Sequence, residues 1–349
     1  MTASQTLRAA SALVDAGLAP PDRLAMLARV AERYAVAITP AMAGLIEVED
    51  PVDPIARQFI PRPEELVVSP DDLADPIGDG FHSPVEGLIH RYPDRVLLKL
   101  THSCAVYCRF CFRREVVGPA GLGTLPPDAL QAALAYITAR PAIWEVILSG
   151  GDPLILSPRR LRGVMAALAA IDHVKVVRIH TRIPVVDPAA ITEHLAQALK
   201  CEGKAVYVAL HANHPRELTP AARAACARLV DAGLPMIGQT VLLAGVNDDP
   251  EVLGALMRGM VETRIKPYYL HHGDLAPGTG HFRTSIAEGQ GLMRALRGSL
   301  SGLCQPTYVL DIPGGHGKVP IGPNYVGGCA GEGSLIEDPW GVTHGYPGA

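Results

Sequence analysis

From Arg95 onward the sequence alternates between two kinds of segment, and that alternation limits the architectures open to it more than any other feature. Short β-branched or apolar runs recur at Val96–Leu100, Glu145–Leu148, Val174–Ile179, Ala205–Leu210, Met236–Leu243, Pro267–Leu270 and Thr307–Leu310. Runs of that length and character read as buried strands. Between most of them lie helix-like stretches, at Pro126–Ala139, Pro158–Ala170, Ala189–Leu199, Pro220–Ala232, Pro250–Thr263 and Ile286–Leu296. Repeated strand and helix predict an α/β fold with a parallel sheet. Six or so units suggest a partial (β/α)6-type TIM-like barrel, although a doubly wound sheet shares the same periodicity. In either architecture, function sits at the C-terminal ends of the strands.

Residues 1–80 carry no strand signal and read as a helical N-terminal extension. Thr2 or Ser4 opens one segment that stops near Gly17, and Pro20-Pro21-Asp22 opens another reaching about Val36. The remaining division is a barrel over 81–325 and a short tail over 326–349. Pro/Gly-rich stretches, Asp71–Pro93 and Pro313–Ala349, flank the barrel, and no linker separates two independent domains.

Composition narrows the class. With 349 residues, 48% hydrophobic and 19% charged, and no repeating period, disulfide-framework, disordered, collagenous and coiled-coil folds are excluded. A net charge of -4 gives no basic field for nucleic acid or anionic lipid. Apolar runs such as Val164–Ile171 fall well short of the roughly 20 residues that span a bilayer. The N-terminus lacks a basic leader and places Asp15 inside its apolar stretch, so a cytoplasmic protein is expected. The seven cysteines are an odd number, and three fall within eight residues, which suits a reducing compartment and a metal centre.

Those three form Cys104-Ala-Val-Tyr-Cys108-Arg-Phe-Cys111, just after the first expected strand. Three thiolates so close converge on a soft metal centre. Zinc ordinarily takes a fourth protein ligand, often from a second Cys-x2-Cys knuckle, and none occurs here. A [4Fe–4S] cluster held by three cysteines leaves one iron open. After the second strand stands Ser149-Gly150-Gly151-Asp152-Pro153, whose glycines allow close backbone approach and whose aspartate can accept from an amine; alone it is also an ordinary turn. After the last strand, Asp311-Ile-Pro-Gly-Gly-His-Gly-Lys318 sets a lysine in a Gly-rich loop. Composition alone favours a solvated surface turn there, with a Schiff-base lysine as the functional alternative.

The Cys104–Cys111 run, with Phe110 before its third cysteine, resembles the radical S-adenosylmethionine (SAM) superfamily, and the Gly-Gly-Asp stretch stands in that family's second-strand position. The Lys318 loop is similar to the Pro-Gly-Gly-Gly-Gly-Lys loop of lysine 2,3-aminomutases, with His316 replacing one glycine. Likeness extends from about His82 to Tyr325, through His90–Arg95, Thr181–Val186, Gln239–Asp248 and Asp274–Arg283.

The resemblance implies an isomerase that shifts the amino group of lysine between C2 and C3, using a [4Fe–4S] cluster, SAM and pyridoxal 5'-phosphate. It places the cluster on Cys104, Cys108 and Cys111, and pyridoxal phosphate on Lys318 with Arg91 and Arg95 near its phosphate. Ser149, Gly150, Gly151, Asp152, His211 and Gln239 fall to SAM, Arg113 to the substrate carboxylate, and Asp274 with Asp311 to the distal ammonium. Two aspartates repel a distal carboxylate, which favours lysine over glutamate and leaves arginine open. An electron donor such as flavodoxin or ferredoxin and a homo-oligomer belong to the same expectation. The runner-up role is the branch that converts lysine for elongation factor P; Asp311 and its loop look more like the free-lysine enzymes. A non-catalytic scaffold is disfavoured by the joint presence of cysteines, lysine and aspartates.

Two departures stand out. Gly238 occupies a position where the family it resembles commonly carries Asn, which puts a cofactor contact in doubt, and because the sequence ends soon after Tyr325 the zinc that longer members bind on tail cysteines is not expected. Cys201, Cys226, Cys304 and Cys329 read as structural thiols.

Overall fold

The computed structural model describes residues 5–118, 123–330 and 333–347. Its main sheet holds nine strands: β1 Leu88–Tyr92, β2 Arg95–Thr101, β3 Glu145–Gly150, β4 Val176–Thr181, β5 Ala205–His211, β6 Met236–Val241, β7 Ile265–His271, β8 Thr307–Ile312 and β9 Gly317–Pro320. They lie side by side in chain order. β2 to β8 run parallel, while β1 and β9 pair antiparallel at the two edges.

A twisted sheet whose connecting helices lie on its outer face curls until its edges approach each other. Here side chains rather than a ladder bridge them: the Lys318 backbone N–H donates to the Tyr92 hydroxyl at 2.7 Å, and the Arg91 guanidinium lies 3.8 Å from Asp311. The fold is a nearly closed α/β barrel, as expected, with seven parallel strands where the sequence suggested six or so units. All seven apolar runs are those strands. The two antiparallel edges were not legible, because β1 carries His90 and Arg91, and β9 is four residues long with Gly317 and Pro320 at its ends. A separate antiparallel sheet of β10 Val326–Ala330, β11 Gly333–Glu337 and β12 Thr343–Tyr346 occupies the segment read as a tail.

The helices between strands start at side-chain caps. Ser157 accepts from the Arg160 amide, Thr219 from Ala222, and Asp249 from Glu251 and Val252, each just ahead of a proline in the first turn. The helix Pro158–Ala169 buries Leu161, Val164, Met165 and Leu168, an i, i+3, i+4, i+7 stripe against the sheet. Burying each such side chain contributes about 1.5–3 kcal/mol. The expected helix over Ala189–Leu199 shortens to Glu193–Ala198, since the Thr192 hydroxyl caps the Leu195 amide and Pro188 opens a separate short turn. Among the described residues no helix is long and apolar enough to cross a membrane.

The N-terminal segment folds into helices Ala10–Asp15, Leu24–Arg33, Pro40–Ala43 and Pro54–Phe59. The first starts at Ala10 without a side-chain cap, and Thr2 and Ser4 lie outside the described residues. This segment grips the cysteine loop directly. The Tyr107 amide donates to the Ala37 carbonyl at 3.1 Å, and the Arg109 amide to the Gln58 carbonyl at 2.9 Å. Glu65, fully buried, accepts from Arg109 Nε at 3.0 Å and pairs with Arg114. Burial alone would raise its carboxyl, but Arg109 and Arg114 outweigh that and hold it below the ordinary range. Removing one member of such a buried ion group strands the others. Glu65→Ala should therefore destabilise the fold by roughly 3–5 kcal/mol in urea denaturation. An unchanged midpoint would show that Arg109 and Arg114 find other partners.

Candidate active site

A cavity of about 620 Å3 opens at the C-terminal ends of the parallel strands and runs into the barrel. It is lined by every residue to which a cofactor or substrate role was assigned above: the three clustered cysteines, Ser149–Asp152, Arg91, Arg95, Arg113, His211, Gln239, Asp274, Asp311 and Lys318. These come from eight segments spread over more than two hundred positions, and strand order alone brings them together.

The cysteine loop leaves β2 and is pinned on two sides. Phe110 packs with Leu243, Val246 and Phe282, while Arg109 is tied to Glu65 and the Ala35 carbonyl. Burial, joined by Asp152 and the other two thiols, pushes Cys104 well up, and burial pushes Cys111 up to about 11. Thiols held this way deprotonate when a metal takes the charge. Among the described residues the three Sγ atoms do not all lie within 4.8 Å of one another. One tetrahedral zinc, with Zn–S of about 2.3 Å, would draw its sulfurs to roughly 3.8 Å apart. Three convergent thiols, with no fourth cysteine beside them among the described residues, suit a polynuclear cluster with one cysteine per iron and one iron left open.

Behind this loop lies the Gly-Gly-Asp stretch. Gly150 has φ +119, and a Cβ there would sit 2.3 Å from the Thr101 carbonyl oxygen; at Gly151 it would sit 2.1 Å from that of Ser103. Both glycines are thus required by the chain's own cysteine loop, which the sequence reading had not foreseen. Asp152 accepts from three protein donors: the Leu154 amide, the Thr181 hydroxyl at 2.8 Å and the Arg182 amide at 2.7 Å.

On the opposite wall, Lys318 Nζ donates to Asp311 and to His271 Nδ1 at 3.2 Å, and lies 5.6 Å from the Tyr269 ring centre. Burial would raise Asp311, but His271 and Lys318 outweigh it and hold the carboxyl at about 2. Asp274 has no ion-pair partner within 4.0 Å among the described residues. Burial first, then the Asp311 charge, pushes it up to about 7. Burial also keeps His180, His211 and His271 neutral, the last two at about 3 and about 4.

Arg113 reaches the cavity already paired: its Nε donates to Asp79 Oδ2 at 2.9 Å, and Arg91 lies 3.2 Å from the same carboxylate. Arg95, the first residue of β2, is more exposed than Arg91 and Arg113, 3.8 Å over the Tyr92 ring and bonded to Asp94. Gln239 Nε2 lies 3.1 Å from His180 Nε2, and His211 Nε2 lies 3.1 Å from Asn213 Oδ1. At Gly238 a Cβ would point away from the cavity, 2.5 Å from Met260 Sδ, so a side chain there would meet the helix layer. The glycine removes no cavity contact. Cys201, Cys226 and Cys304 are buried thiols, and the side chain of Cys329 lies outside the described residues.

Sequence reasoning missed Asp79, Tyr92, His180, Arg182, Tyr269 and His271. A signal existed for the strand residues: polar side chains near the ends of apolar runs point inward at the catalytic mouth of such barrels. Asp79, in an irregular Pro/Gly-rich stretch, offered none.

Residues 98–255 match the model of the radical SAM superfamily, and residues 293–348 match that of lysine-2,3-aminomutase. The chain is 44% identical over 306 residues to L-lysine 2,3-aminomutase of Acetoanaerobium sticklandii, covering 88% of this chain and 73% of that one. It is also 44% identical to L-lysine 2,3-aminomutase of Clostridium subterminale, over 86% of this chain and 72% of the relative. Glutamate 2,3-aminomutase of Clostridioides difficile is 38% identical over 85% of this chain and 70% of its own. With these likenesses spanning the cysteine loop, the barrel and the lysine loop together, the chain belongs to the lysine 2,3-aminomutase family of radical SAM proteins.

Proposed function

We propose that this protein interconverts L-lysine and β-lysine by moving the amino group between C2 and C3. The observation that carries this reading is the pair of carboxylates at the lysine loop: Asp311 already holds an alkylammonium, that of Lys318, beside an Asp274 with no cation of its own. When Lys318 is engaged by pyridoxal phosphate, both carboxylates are left for the distal ammonium of a substrate. A distal carboxylate, as in glutamate, would be repelled there.

With cluster, SAM and pyridoxal phosphate bound, the cofactors supply the hydrogen abstraction and carry the migrating nitrogen. The chain binds and orients. Cys104, Cys108 and Cys111 would hold the cluster, and Lys318 the pyridoxal carbonyl, with Arg91 and Arg95 near its phosphate. Arg113 would turn from Asp79 to the substrate carboxylate, exchanging one carboxylate for another. Ser149, Gly150, Gly151 and Asp152 would meet SAM, with His211 and Gln239 nearby. A soluble reductant of the flavodoxin or ferredoxin kind, a homo-oligomeric assembly, a cytoplasmic setting and three segments at 1–80, 81–325 and 326–349 complete the reading.

The test is anaerobic incubation of reconstituted protein with SAM, pyridoxal phosphate, a reductant and each of lysine, arginine, glutamate and alanine. We expect β-lysine from lysine as the main product; turnover of glutamate with none of lysine would overturn the assignment. Asp274→Asn should raise KM for lysine by about tenfold or more, corresponding to ~1.4 kcal/mol. The pH profile follows from the raised Asp274 carboxyl. Below about 7 it is uncharged and above it is an anion, so kcat/KM for lysine should rise with pH through about 7. In Asp274→Asn that limb should flatten; a profile identical to wild type would assign the titration elsewhere.

A further inference from the structure

Arg182, the first residue after β4, has no part in the roles above, yet its guanidinium is almost wholly buried against the cysteine loop. Nη1 donates to Cys108 Sγ at 2.8 Å. Nη2 donates to Gln58 Oε1 at 2.6 Å and to Glu217 Oε2 at 2.7 Å. Gln58 comes from the N-terminal helix Pro54–Phe59, and Glu217 from a short turn after β5; both are fully buried.

The partners are themselves fixed. Gln58 Nε2 donates to Glu217 Oε1 at 3.2 Å, and that oxygen also accepts the Asn213 and His214 amides at 2.9 and 3.0 Å. The Asn213 side chain closes the ring by donating to Gln58 Oε1 at 3.1 Å. The Phe59 and Phe110 rings flank the guanidinium, 4.8 and 5.3 Å from its carbon. The cation therefore cannot swing into solvent, and its field on Cys108 is little screened.

We propose that Arg182 is a positioning residue for the iron–sulfur cluster, its charge-assisted N–H···S bond to Cys108 raising the cluster's reduction potential while Glu217 opposes part of that effect. The inference rests on the reading of Cys104, Cys108 and Cys111 as cluster ligands. Reduction adds one electron to the cluster, so a fixed cation and an N–H donor at a ligand sulfur stabilise the reduced form more than the oxidised one. A neighbouring carboxylate acts in the opposite sense.

The test uses full-length protein reconstituted anaerobically with iron and sulfide. Iron content and the midpoint potential are read by dithionite titration with electron paramagnetic resonance. Arg182→Gln should make one-electron reduction about tenfold less favourable, a shift of ~59 mV to more negative potential. Arg182→Lys, which keeps the charge, should shift less, and Glu217→Gln should shift the potential the other way. Should Arg182→Gln fail to hold a cluster, the opposite shifts of the other two variants still decide. Wild-type potentials in Arg182→Lys and Glu217→Gln at full iron content would overturn the inference alone. A wild-type protein that assembles no cluster would overturn the cluster reading and this inference with it.

Discussion

Lys318→Ala protein should no longer form a Schiff base with pyridoxal phosphate, and its lysine isomerisation should fall by more than about 10³-fold, the scale on which a covalently acting side chain is missed. The geometry explains why no other amine would substitute. Lys318 sits on β9, its amide held by the Tyr92 hydroxyl and its Nζ between Asp311 and His271. The loop before it turns back through Gly314, Gly315 and Gly317, all at positive φ. A Cβ at Gly315 would meet the His82 ring at 2.8 Å, so the loop is packed and not a free surface turn. Absorbance of the pyridoxal Schiff base is the direct readout, with the iron–sulfur chromophore retained as the control. Retained Schiff-base absorbance in Lys318→Ala would place the cofactor on another lysine.

Cys108→Ala should lose the cluster, the reductive cleavage of SAM and all isomerisation, while keeping the pyridoxal absorbance on Lys318. Alanine offers no ligand, and two thiolates hold a [4Fe–4S] unit poorly. The loss has a second source: it leaves Arg182 Nη1 without the sulfur it donates to in a nearly dry site. Iron analysis and quantified 5'-deoxyadenosine are the measurements. Wild-type iron and wild-type SAM cleavage in this variant would refute the assignment of the Cys104–Cys111 loop. The two substitutions should thus separate the cofactors, each removing one chromophore and sparing the other.

The parts of this protein that were readable in one dimension are those whose physics is local. Seven parallel strands announced themselves as apolar runs because the face each turns to the helices is buried, and in β3 and β4 almost every residue is. Helix starts at Pro158, Pro220 and Pro250 were legible, since the signals that open a helix act within its first turn. The cysteine triplet was legible for the same reason, its ligands being neighbours in sequence. Edge strand β9 and the sheet β10–β12 were hidden, because short Gly-bearing strands owe their form to partners and not to their own pattern.

The site divides along the same line. Residue types and spacing by themselves determined the class of fold and the cysteine loop, and resemblance then gathered the lysine loop and the remaining candidates. Only the tertiary structure decided their partners. That Arg113 rests on Asp79, that Asp152 spends its carboxylate on Thr181 and Arg182, and that Gly150 and Gly151 yield to the cysteine loop are facts between segments far apart in the chain. The buried ring of Gln58, Arg182, Asn213 and Glu217 around Cys108 belongs to the same kind. Buried polar groups must each find a partner, and the barrel's closure chooses which one comes within reach.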